Sequence, residues 1–254
     1  MRTNLNITSH SGCDGTPDNS LLSMKTGLTI GADAAEVDVR LNKRGLLIIS
    51  HDEDPEKEYR DHPLLAEAFD IIAANDKFAI NCDIKEGETI PVVLELAAEK
   101  GISPDRLILT GSVYPQTLLD TPAILAESSV WINIEEVLKY LNTTGNETLK
   151  QFKNLIPYGT EKDLFRKIPA SSSALIMETI MNACLDWGVK VLNMPYLETI
   201  VPLIPMMKDR GLEASVWTIN EKERLTQLFN LGVLNVTTRN TALAVKVREG
   251  IKNN

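Results

Sequence analysis

The sequence has few cysteines, and those it has lie far apart. Only Cys13, Cys82 and Cys184 occur in 254 residues, an odd number with no Cys-x-x-Cys pair. A small domain stabilised by disulfides needs a much higher density of paired cysteines, so that class is excluded. The spacing instead predicts free thiols in a reducing compartment.

Long apolar runs are also missing. No stretch approaches the roughly 18 consecutive apolar residues that a membrane-spanning helix requires, so we expect no integral membrane segment. The N-terminal stretch MRTNLNITSH lacks the apolar centre of a secretory signal peptide. We therefore expect a cytoplasmic protein, with a leader trimmed from the sequence as the alternative.

Positive charge is in deficit. The chain has 26 Lys and Arg residues against 35 Asp and Glu residues, which gives a formal net charge of −9. A nucleic acid or an anionic membrane surface would require a basic face, so neither is an expected partner. The remaining composition is that of an ordinary globular protein.

Short apolar runs typical of strands alternate with helical patterns almost from end to end. The helical stretches include Leu64–Ala74 and Pro91–Lys100, where Pro91 is expected at the first helical position. Such alternation predicts parallel strands joined by crossover helices. The predicted strands are Leu5–Ser9, Ala35–Val39, Leu46–Ser50, Phe78–Ile84, Leu107–Thr110, Val130–Ile134, Val189–Met194, Ala214–Thr218 and Val233–Thr237.

One predicted strand does not fit this alternation. Leu46–Ser50 follows Ala35–Val39 after a short turn at Asn42–Gly45, which is typical of an extension or a hairpin rather than of a crossover. Without it, the number of strands is that of a (β/α)8 TIM barrel, and residues 1–254 would form one such domain. A doubly wound open sheet is the alternative.

Two further stretches each have two interpretations. Thr143–Ser173 is the least regular part of the chain, and is either a long βα loop with a short helix or a lid over the barrel mouth. Ile200–Met207 is apolar enough for either a core helix face or an interface between copies. The sequence therefore leaves the oligomeric state open.

Ionisable side chains stand where four consecutive predicted strands end, which is where TIM-barrel enzymes place their reactive groups. Residues i and i+2 share a face of a strand, so Glu36 and Asp38 point the same way, as do Asp83 and Lys85. The candidates, in chain order, are His10, Glu36, Asp38, His51, Asp83 and Lys85.

The three carboxylates of Glu36, Asp38 and Asp83 would repel one another unless one took up a proton or a cation bound between them. An all-oxygen site suits Mg²⁺ or Ca²⁺ rather than Zn²⁺. Lys85 beside them is a compact positive charge that suits a phosphate oxygen. Any one of these residues alone is more often a solvated charge, a helix cap or a surface ion pair, so the interpretation depends on their coincidence.

Other charged residues receive no role. His62 lies in a polar loop, EYRDHP, and is not counted among the candidates. Lys25, Arg40 and Lys43 are interpreted as ordinary solvated charges.

The candidates stand within a series of short motifs. In their order and spacing, from residue 5 to about residue 240, these resemble the motifs of the glycerophosphodiester phosphodiesterases, a family of the phosphatidylinositol-phospholipase-C-like barrel superfamily. The family motifs are His-Arg-Gly, Glu-Asn-Thr, Gly-Ala-Asp, Glu-x-Asp-Val, His-Asp, acidic-x-Lys, Ser-Phe, Gly-Leu, Val-Trp-Thr-Val-Asn and a Gly-Val strand ending in Thr. The corresponding stretches here are His10-Ser11-Gly12, Asp18-Asn19-Ser20, Gly31-Ala32-Asp33, Glu36-Val37-Asp38-Val39, His51-Asp52, Asp83-Ile84-Lys85, Ser112-Val113, Gly211-Leu212, Val216-Trp217-Thr218-Ile219-Asn220, and Gly232-Val233 with Thr237-Thr238.

The resemblance implies a metal site and an acid–base pair. Glu36, Asp38 and Asp83 would hold one divalent cation, Mg²⁺ or Ca²⁺. His10 and His51 would act as general acid and general base, a task for which the ordinary imidazole pKa of ~6.5 is suited.

The resemblance also implies the substrate contacts and the reaction. Lys85 would contact the phosphate, and Trp217 would form an apolar wall near the glycerol unless it is a core tryptophan. The implied reaction is metal-dependent hydrolysis of glycerophosphodiesters to sn-glycerol 3-phosphate and an alcohol such as choline or ethanolamine. The nucleophile would be either the adjacent glycerol hydroxyl, by way of a cyclic phosphate, or water.

Three departures from the family pattern concern the substrate. Ser11 stands where the family has an arginine on the phosphate, which removes a charge-assisted contact of about 1.5–3 kcal/mol. Asp83 replaces the usual glutamate and is one methylene shorter. Only the stretch Glu53–Pro63 separates His51-Asp52 from the next predicted helix, so the subdomain that the family inserts there is reduced or absent.

Three alternatives follow. The chain could be a phosphodiesterase for a different headgroup. It could be a weakly active or non-catalytic relative that binds a phosphorylated ligand, which Ser11 and the short insertion favour and the retained histidines and acids oppose. It could also be an aldolase with Lys85 as a Schiff-base lysine, although this leaves His10, His51, Glu36 and Asp38 without a role.

Overall fold

The core of the molecule is a closed barrel of eight parallel strands. The computed structural model describes residues 6–53, 62–152, 165, 168 and 170–252. The strands run in the order β1-β9-β8-β7-β6-β5-β4-β2, and pairing of β1 with β2 closes the barrel. They are β1 Asn6–Ser9, β2 Ala34–Leu41, β4 Ala79–Ile84, β5 Leu107–Gly111, β6 Ser129–Asn133, β7 Val191–Pro195, β8 Glu213–Trp217 and β9 Asn235–Thr238. The predicted TIM barrel is confirmed, and the open-sheet alternative is wrong.

The remaining strand, β3 Leu47–Ile49, is antiparallel to β2, with Ile49 opposite Val39. The side chain of Asn42 holds the turn by accepting hydrogen bonds from the backbone N–H groups of Arg44 and Leu46, at 3.0 and 2.9 Å. The predicted hairpin is therefore confirmed, and it returns the chain to the carboxyl end of β2.

Helices surround the barrel. They are α1 Leu21–Ile30, α2 Leu65–Ala73, α3 Ile90–Glu99, α4 Pro115–Asp120, α5 Ile124–Glu127, α6 Ile134–Thr143, α7 Glu147–Lys150, α8 Ala170–Asp186, α9 Ile204–Asp209, α10 Lys222–Leu231 and α11 Thr241–Lys252, with 3-10 turns at Cys13–Gly15, Gly87–Thr89 and Val201–Leu203. Pro91 is the second residue of α3 rather than the first, because the preceding 3-10 turn runs directly into the helix.

Two predicted strands begin later than expected because their first residues complete the preceding helix. The backbone N–H groups of Val189 and Val233 donate to the carbonyls of Cys184 and Leu228. These bonds help to satisfy carbonyls in the last turns of α8 and α10. Hence β7 begins at Val191 and β9 at Asn235.

Helix α2 shows how the sequence directs packing. Its residues Leu65, Ala68, Phe69 and Ile72 are spaced by three and four and are all fully buried against the barrel. Burial of each large side chain contributes roughly 1.5–3 kcal/mol. The Glu67 carboxylate accepts a hydrogen bond from the Leu64 N–H at 2.9 Å and so caps the first turn.

The barrel interior is layered, because alternate residues of each strand point inward. An apolar floor at the amino ends of the strands consists of Ala34, Ala79, Ile108, Trp131 and Val191. Above it lies a layer of polar side chains that satisfy one another. They are linked by Thr8–Asn235, Asn235–Ser215, Thr110–Asn81 and Asn193–Asn133 hydrogen bonds of 2.8, 3.1, 2.8 and 2.8 Å. The next inward positions open into the barrel mouth.

The cysteine prediction is confirmed, since all three thiols are free and buried. Ile200, Val201, Ile204 and Met207 are buried in the main core, so that run supplies a core face. No helix in the described part of the chain is both long and apolar enough to cross a membrane.

About half of Thr143–Ser173, the stretch expected to be either a long βα loop or a lid, lies outside the described residues, so neither interpretation is tested. The structure describes residues 143–152, which include α7, together with Phe165, Ile168 and the start of α8. The predicted short insertion also falls partly outside the described residues, since residues 54–61 are not described.

Arg106 provides a test of how the barrel and a helix are joined. Its buried guanidinium donates to the carbonyls of Ile72, Asn75 and Phe78. Arg106→Ala would remove a charge-assisted donor from each of these carbonyls, so we expect a loss of about 3 kcal/mol in the free energy of unfolding. The matched change at exposed Arg210 should cost less than about 1 kcal/mol. Urea denaturation of both variants measures the difference, and equal losses would contradict this role of Arg106.

Candidate active site

A cavity of about 1550 Å³ lies at the carboxyl ends of the barrel strands. The structure brings all of the predicted site residues together on its wall. They are His10, Glu36, Asp38, His51, Asp83, Lys85 and Trp217.

The three acids are held by the pairing of β2 with β4. Asp38 lies opposite Asp83, and Glu36 lies opposite Asn81, one inward layer below. Each of the three acids offers an oxygen that lies within 4.8 Å of the others. Glu36 and Asp38 are buried, whereas Asp83 is partly exposed.

Two groups that the sequence analysis did not select hold these carboxylates in place. The backbone N–H of Ser11 donates to Glu36 Oε2 at 3.0 Å. The Asn19 side chain donates to Asp38 Oδ2 at 2.7 Å and accepts from the Asp38 N–H at 3.1 Å. A signal for Asn19 was present in the Asp18-Asn19-Ser20 motif, but only the fold shows which acid it contacts.

Lys85 lies between two of the acids. Its Nζ is 2.5 Å from Asp38 Oδ1 and 2.8 Å from Asp83 Oδ2. Burial acts to lower the pKa of Lys85, but the two carboxylates outweigh it and hold the pKa above its ordinary value. Lys85 is therefore a firmly charged ammonium at the centre of the acidic cluster.

The acids differ in their affinity for protons. Burial, together with the charges of Asp38 and Asp83, raises the pKa of Glu36 to about 8. Burial also raises the pKa of Asp83. At Asp38 burial acts in the same direction, but the charge and hydrogen bond of Lys85, with the amide of Asn19, bring the pKa below its usual value. Neighbouring carboxylates in one buried site repel each other, so at least one tends to take up a proton unless a cation binds.

His10 follows β1 and stands beside Glu36. Its Nδ1 lies 2.9 Å from the Ser11 carbonyl and 3.7 Å from Glu36 Oε2. Burial lowers the pKa of His10, and the charge of Arg239 adds to this effect. Since Glu36 holds its proton up to a pH of about 8, the His10–Glu36 contact near neutral pH joins two uncharged groups.

His51 lies on the other side of the acids, after β3, and is 69% exposed. Its Nδ1 lies 2.7 Å from the Asp52 carboxylate. The Arg40 Nε donates to the His51 carbonyl at 3.0 Å, and its guanidinium pairs with Glu86. The interpretation of Arg40 as an ordinary solvated charge is therefore wrong, because its side chain anchors the segment that carries His51.

The far side of the cavity has its own polar groups. Trp217 ends β8 and is partly exposed on the wall rather than fully buried in the core. Glu135 and Glu136, in the first turn of α6, also line the cavity, and Glu136 pairs with Lys139 at 2.7 Å. His62, which received no role from the sequence, also lines the cavity.

The residues present fit a divalent cation. Two oxygens on opposite sides of one Ca²⁺ ion are at most about 5 Å apart, so carboxylate oxygens within 4.8 Å of one another can share one ion. The donors are all oxygen, which suits Mg²⁺ or Ca²⁺. Binding of a cation would also relieve the repulsion that raises the pKa of Glu36.

Two sequence comparisons with known proteins both point to the same family. The model of the glycerophosphoryl diester phosphodiesterase family matches residues 10–57, the stretch that contains His10, Glu36, Asp38 and His51. A glycerophosphodiester phosphodiesterase of Caldanaerobacter subterraneus subsp. tengcongensis is 25% identical over 243 residues, which cover 92% of this chain and 93% of that protein.

Two solved structures show the same fold over almost their whole length. The glycerophosphodiester phosphodiesterase of Thermotoga maritima has a TM-score of 0.66 and 22% identity, and covers 96% of this chain and 98% of its own. A phosphodiesterase of Oleispira antarctica, solved in complex with the product sn-glycerol-3-phosphate, has a TM-score of 0.65 and 16% identity, with 97% and 96% covered.

Gly111 tests the packing behind Asp83. It has a φ of +77°, and a Cβ there would lie 2.0 Å from Asp83 Oδ1. Gly211 has a φ of +79° with nothing within 4 Å, so Gly211→Ala should cost only the backbone strain of about 1 kcal/mol. Gly111→Ala should lose more stability and also weaken Mg²⁺ binding. Thermal unfolding and metal titration check both, and equal behaviour of the two variants would contradict the contact with Asp83.

The raised pKa of Glu36 predicts how metal binding depends on pH. Its proton contributes stability to the metal-free fold at low pH, and this contribution is lost as the pH rises through about 8. A cation must displace the proton, so the increase in Tm caused by Mg²⁺ should grow from pH 6 to pH 9. Thermal unfolding with Mg²⁺ and with EDTA measures this increase, and Glu36→Gln should flatten its pH dependence. An increase that is the same at every pH would count against the assignment.

Proposed function

We propose that the chain is a member of the glycerophosphodiester phosphodiesterase family and that it hydrolyses glycerophosphodiesters to sn-glycerol 3-phosphate and an alcohol. The observation that carries the proposal is the cluster of three carboxylates beside two histidines and a lysine on one cavity wall. Residues 1–254 would act as one barrel domain in the cytoplasm, with a small-molecule substrate, in glycerol and lipid metabolism.

Glu36, Asp38 and Asp83 would hold the divalent cation, Mg²⁺ or Ca²⁺. Such an ion supplies Lewis-acid stabilisation of the charge that develops on a phosphate oxygen. The N–H of Ser11 and the amide of Asn19 fix Glu36 and Asp38 in place, at 3.0 and 2.7 Å. These positioning groups reduce the reorganisation that ligand binding would otherwise require.

His10 and His51 would divide the proton transfers. His10 has a lowered pKa, so it is uncharged near neutral pH and suited to accept the proton of the nucleophile. His51, oriented by its contact with Asp52, would donate a proton to the leaving alcohol. The nucleophile is either the adjacent glycerol hydroxyl or water, and detection of a cyclic glycerophosphate would distinguish them.

Lys85 and Trp217 would contact the substrate. The ammonium of Lys85 is held beside the cluster by Asp38 and Asp83, within reach of a phosphate oxygen bound there. Trp217 would form an apolar wall for the glycerol. The Schiff-base alternative is disfavoured, because an amine whose pKa is raised is a poor nucleophile.

A different headgroup is the second candidate. Ser11 provides no charge, and only residues 54–61 separate Glu53 from His62 at the cavity rim, which leaves little chain for an inserted subdomain. The glycerol pocket would then be shaped by other elements, and the preferred alcohol could differ from choline or ethanolamine.

The test is release of sn-glycerol 3-phosphate from a panel of glycerophosphodiesters, with Mg²⁺ or Ca²⁺ and again with EDTA. We expect metal-dependent turnover, and a loss of about 10²–10⁴-fold in His10→Ala and in His51→Ala. Lys100→Ala, a surface change outside the cavity, is the control and should keep the wild-type rate.

A folded protein that binds metal and releases nothing from any member of the panel would refute the proposal. Turnover of a different phosphodiester would support the second candidate. Binding of glycerol 3-phosphate without turnover would identify a non-catalytic relative.

A further inference from the structure

Arg239 occupies a fixed place beside His10. Strand β9 ends at Thr238, whose carbonyl accepts a hydrogen bond from the His10 N–H at 2.8 Å. The backbone N–H of Arg239 donates to Asn220 Oδ1 at 2.9 Å, and the Thr238 hydroxyl donates to the same oxygen at 3.2 Å. Asn220 therefore fixes the backbone from which the Arg239 side chain reaches the cavity.

The guanidinium lies over the turn that follows His10. Arg239 Nη1 donates to Asp18 Oδ1 at 2.8 Å, and both residues line the cavity. A Cβ at Gly12 would lie 1.8 Å from that Asp18 oxygen and 3.1 Å from Nη1. Only a glycine at position 12, where φ is +75°, leaves room for the Asp18–Arg239 ion pair to pack against this turn.

The turn itself carries no positive charge. Ser11 is buried, and its hydroxyl accepts a hydrogen bond from the Asn19 N–H at 2.7 Å. A cation for a phosphate bound near His10 must therefore come from another element. The end of β9 is adjacent to it, and it supplies Arg239.

The cations on the cavity wall differ in how firmly they are held. Among the described residues these are Lys85, Lys139 and Arg239. Lys85 is bound by two carboxylates, and Lys139 pairs with Glu136 in α6. The carboxylate on Arg239 belongs to Asp18, which is 60% exposed, so water can readily replace the guanidinium when it leaves.

We propose that Arg239 is a substrate-binding residue whose guanidinium exchanges the Asp18 carboxylate for a non-bridging phosphate oxygen of the substrate. The inference rests on the proposed function, since it places the phosphate beside His10 and the acid cluster. It assigns Asp18 the role of a competitor for the same cation.

This competition predicts opposite effects from the two partners. Arg239→Gln removes a charge-assisted contact and should weaken phosphate binding about tenfold. Asp18→Asn removes the competitor and should tighten binding severalfold. In the double variant the gain in affinity from Asp18→Asn should disappear. If Asp18→Asn acted only by changing the electrostatic potential of the cavity, the gain would persist without Arg239.

The experiment is isothermal titration of the full chain with sn-glycerol 3-phosphate and, separately, with inorganic phosphate, in the presence of Mg²⁺. The matched control is Arg210→Gln, which alters another exposed, ion-paired arginine outside the cavity and should leave affinity unchanged. Arg239→Lys keeps the charge without the planar pair of donors and should recover part of the affinity.

Several results would overturn the inference. One is unchanged affinity in a folded Arg239→Gln variant. Another is equal weakening by Arg239→Gln and Asp18→Asn, which indicates a purely structural pair. A third is a wild-type protein that binds neither phosphate probe. If the wild type binds phosphate through Arg239 but hydrolyses no glycerophosphodiester, the proposed function fails and the assignment of Arg239 remains.

Discussion

The repulsion among three neighbouring carboxylates is the constraint on which the rest of the site depends. The β2–β4 ladder places Asp38 opposite Asp83, with Glu36 one layer below. The surrounding groups compensate the resulting negative charge in different ways. Lys85 pairs with two of the acids, Asn19 and the turn after β1 donate hydrogen bonds, and Glu36 keeps its proton up to a pH of about 8. The site is thus already arranged for a cation.

Much of this could be predicted from the sequence, because the alternation of inward and outward residues is a local property. Glu36 and Asp38, or Asp83 and Lys85, share a face whatever else the chain does. Element ends were predicted less well, since Val189 and Val233 close helices instead of opening strands. The contact of Arg239 with Asp18 spans 221 positions, and no local pattern reveals a pairing that only barrel closure creates.

Solved structures at 22% and 16% identity show the same fold, which indicates how few identical positions the architecture needs. The layered interior demands small or apolar side chains at the floor and mutually satisfied polar ones above it. Those requirements leave the loops at the mouth free to vary. Ser11, Glu53 and His62 all line the cavity there. Substrate preference can therefore diverge while the carboxylate cluster stays in place.

The apolar floor has a consequence for the route by which substrate enters the cavity and products leave it. Ala34, Ala79, Ile108, Trp131 and Val191 form a plug, and the cavity at the mouth shares no lining residue with the smaller pocket at the opposite end. In the part of the chain that the structure describes, substrate, water and both products would all pass through the barrel mouth. The alcohol and the phosphate-bearing product leave by the path along which the next substrate arrives. A product held by the acid cluster would therefore block the entry of the next substrate.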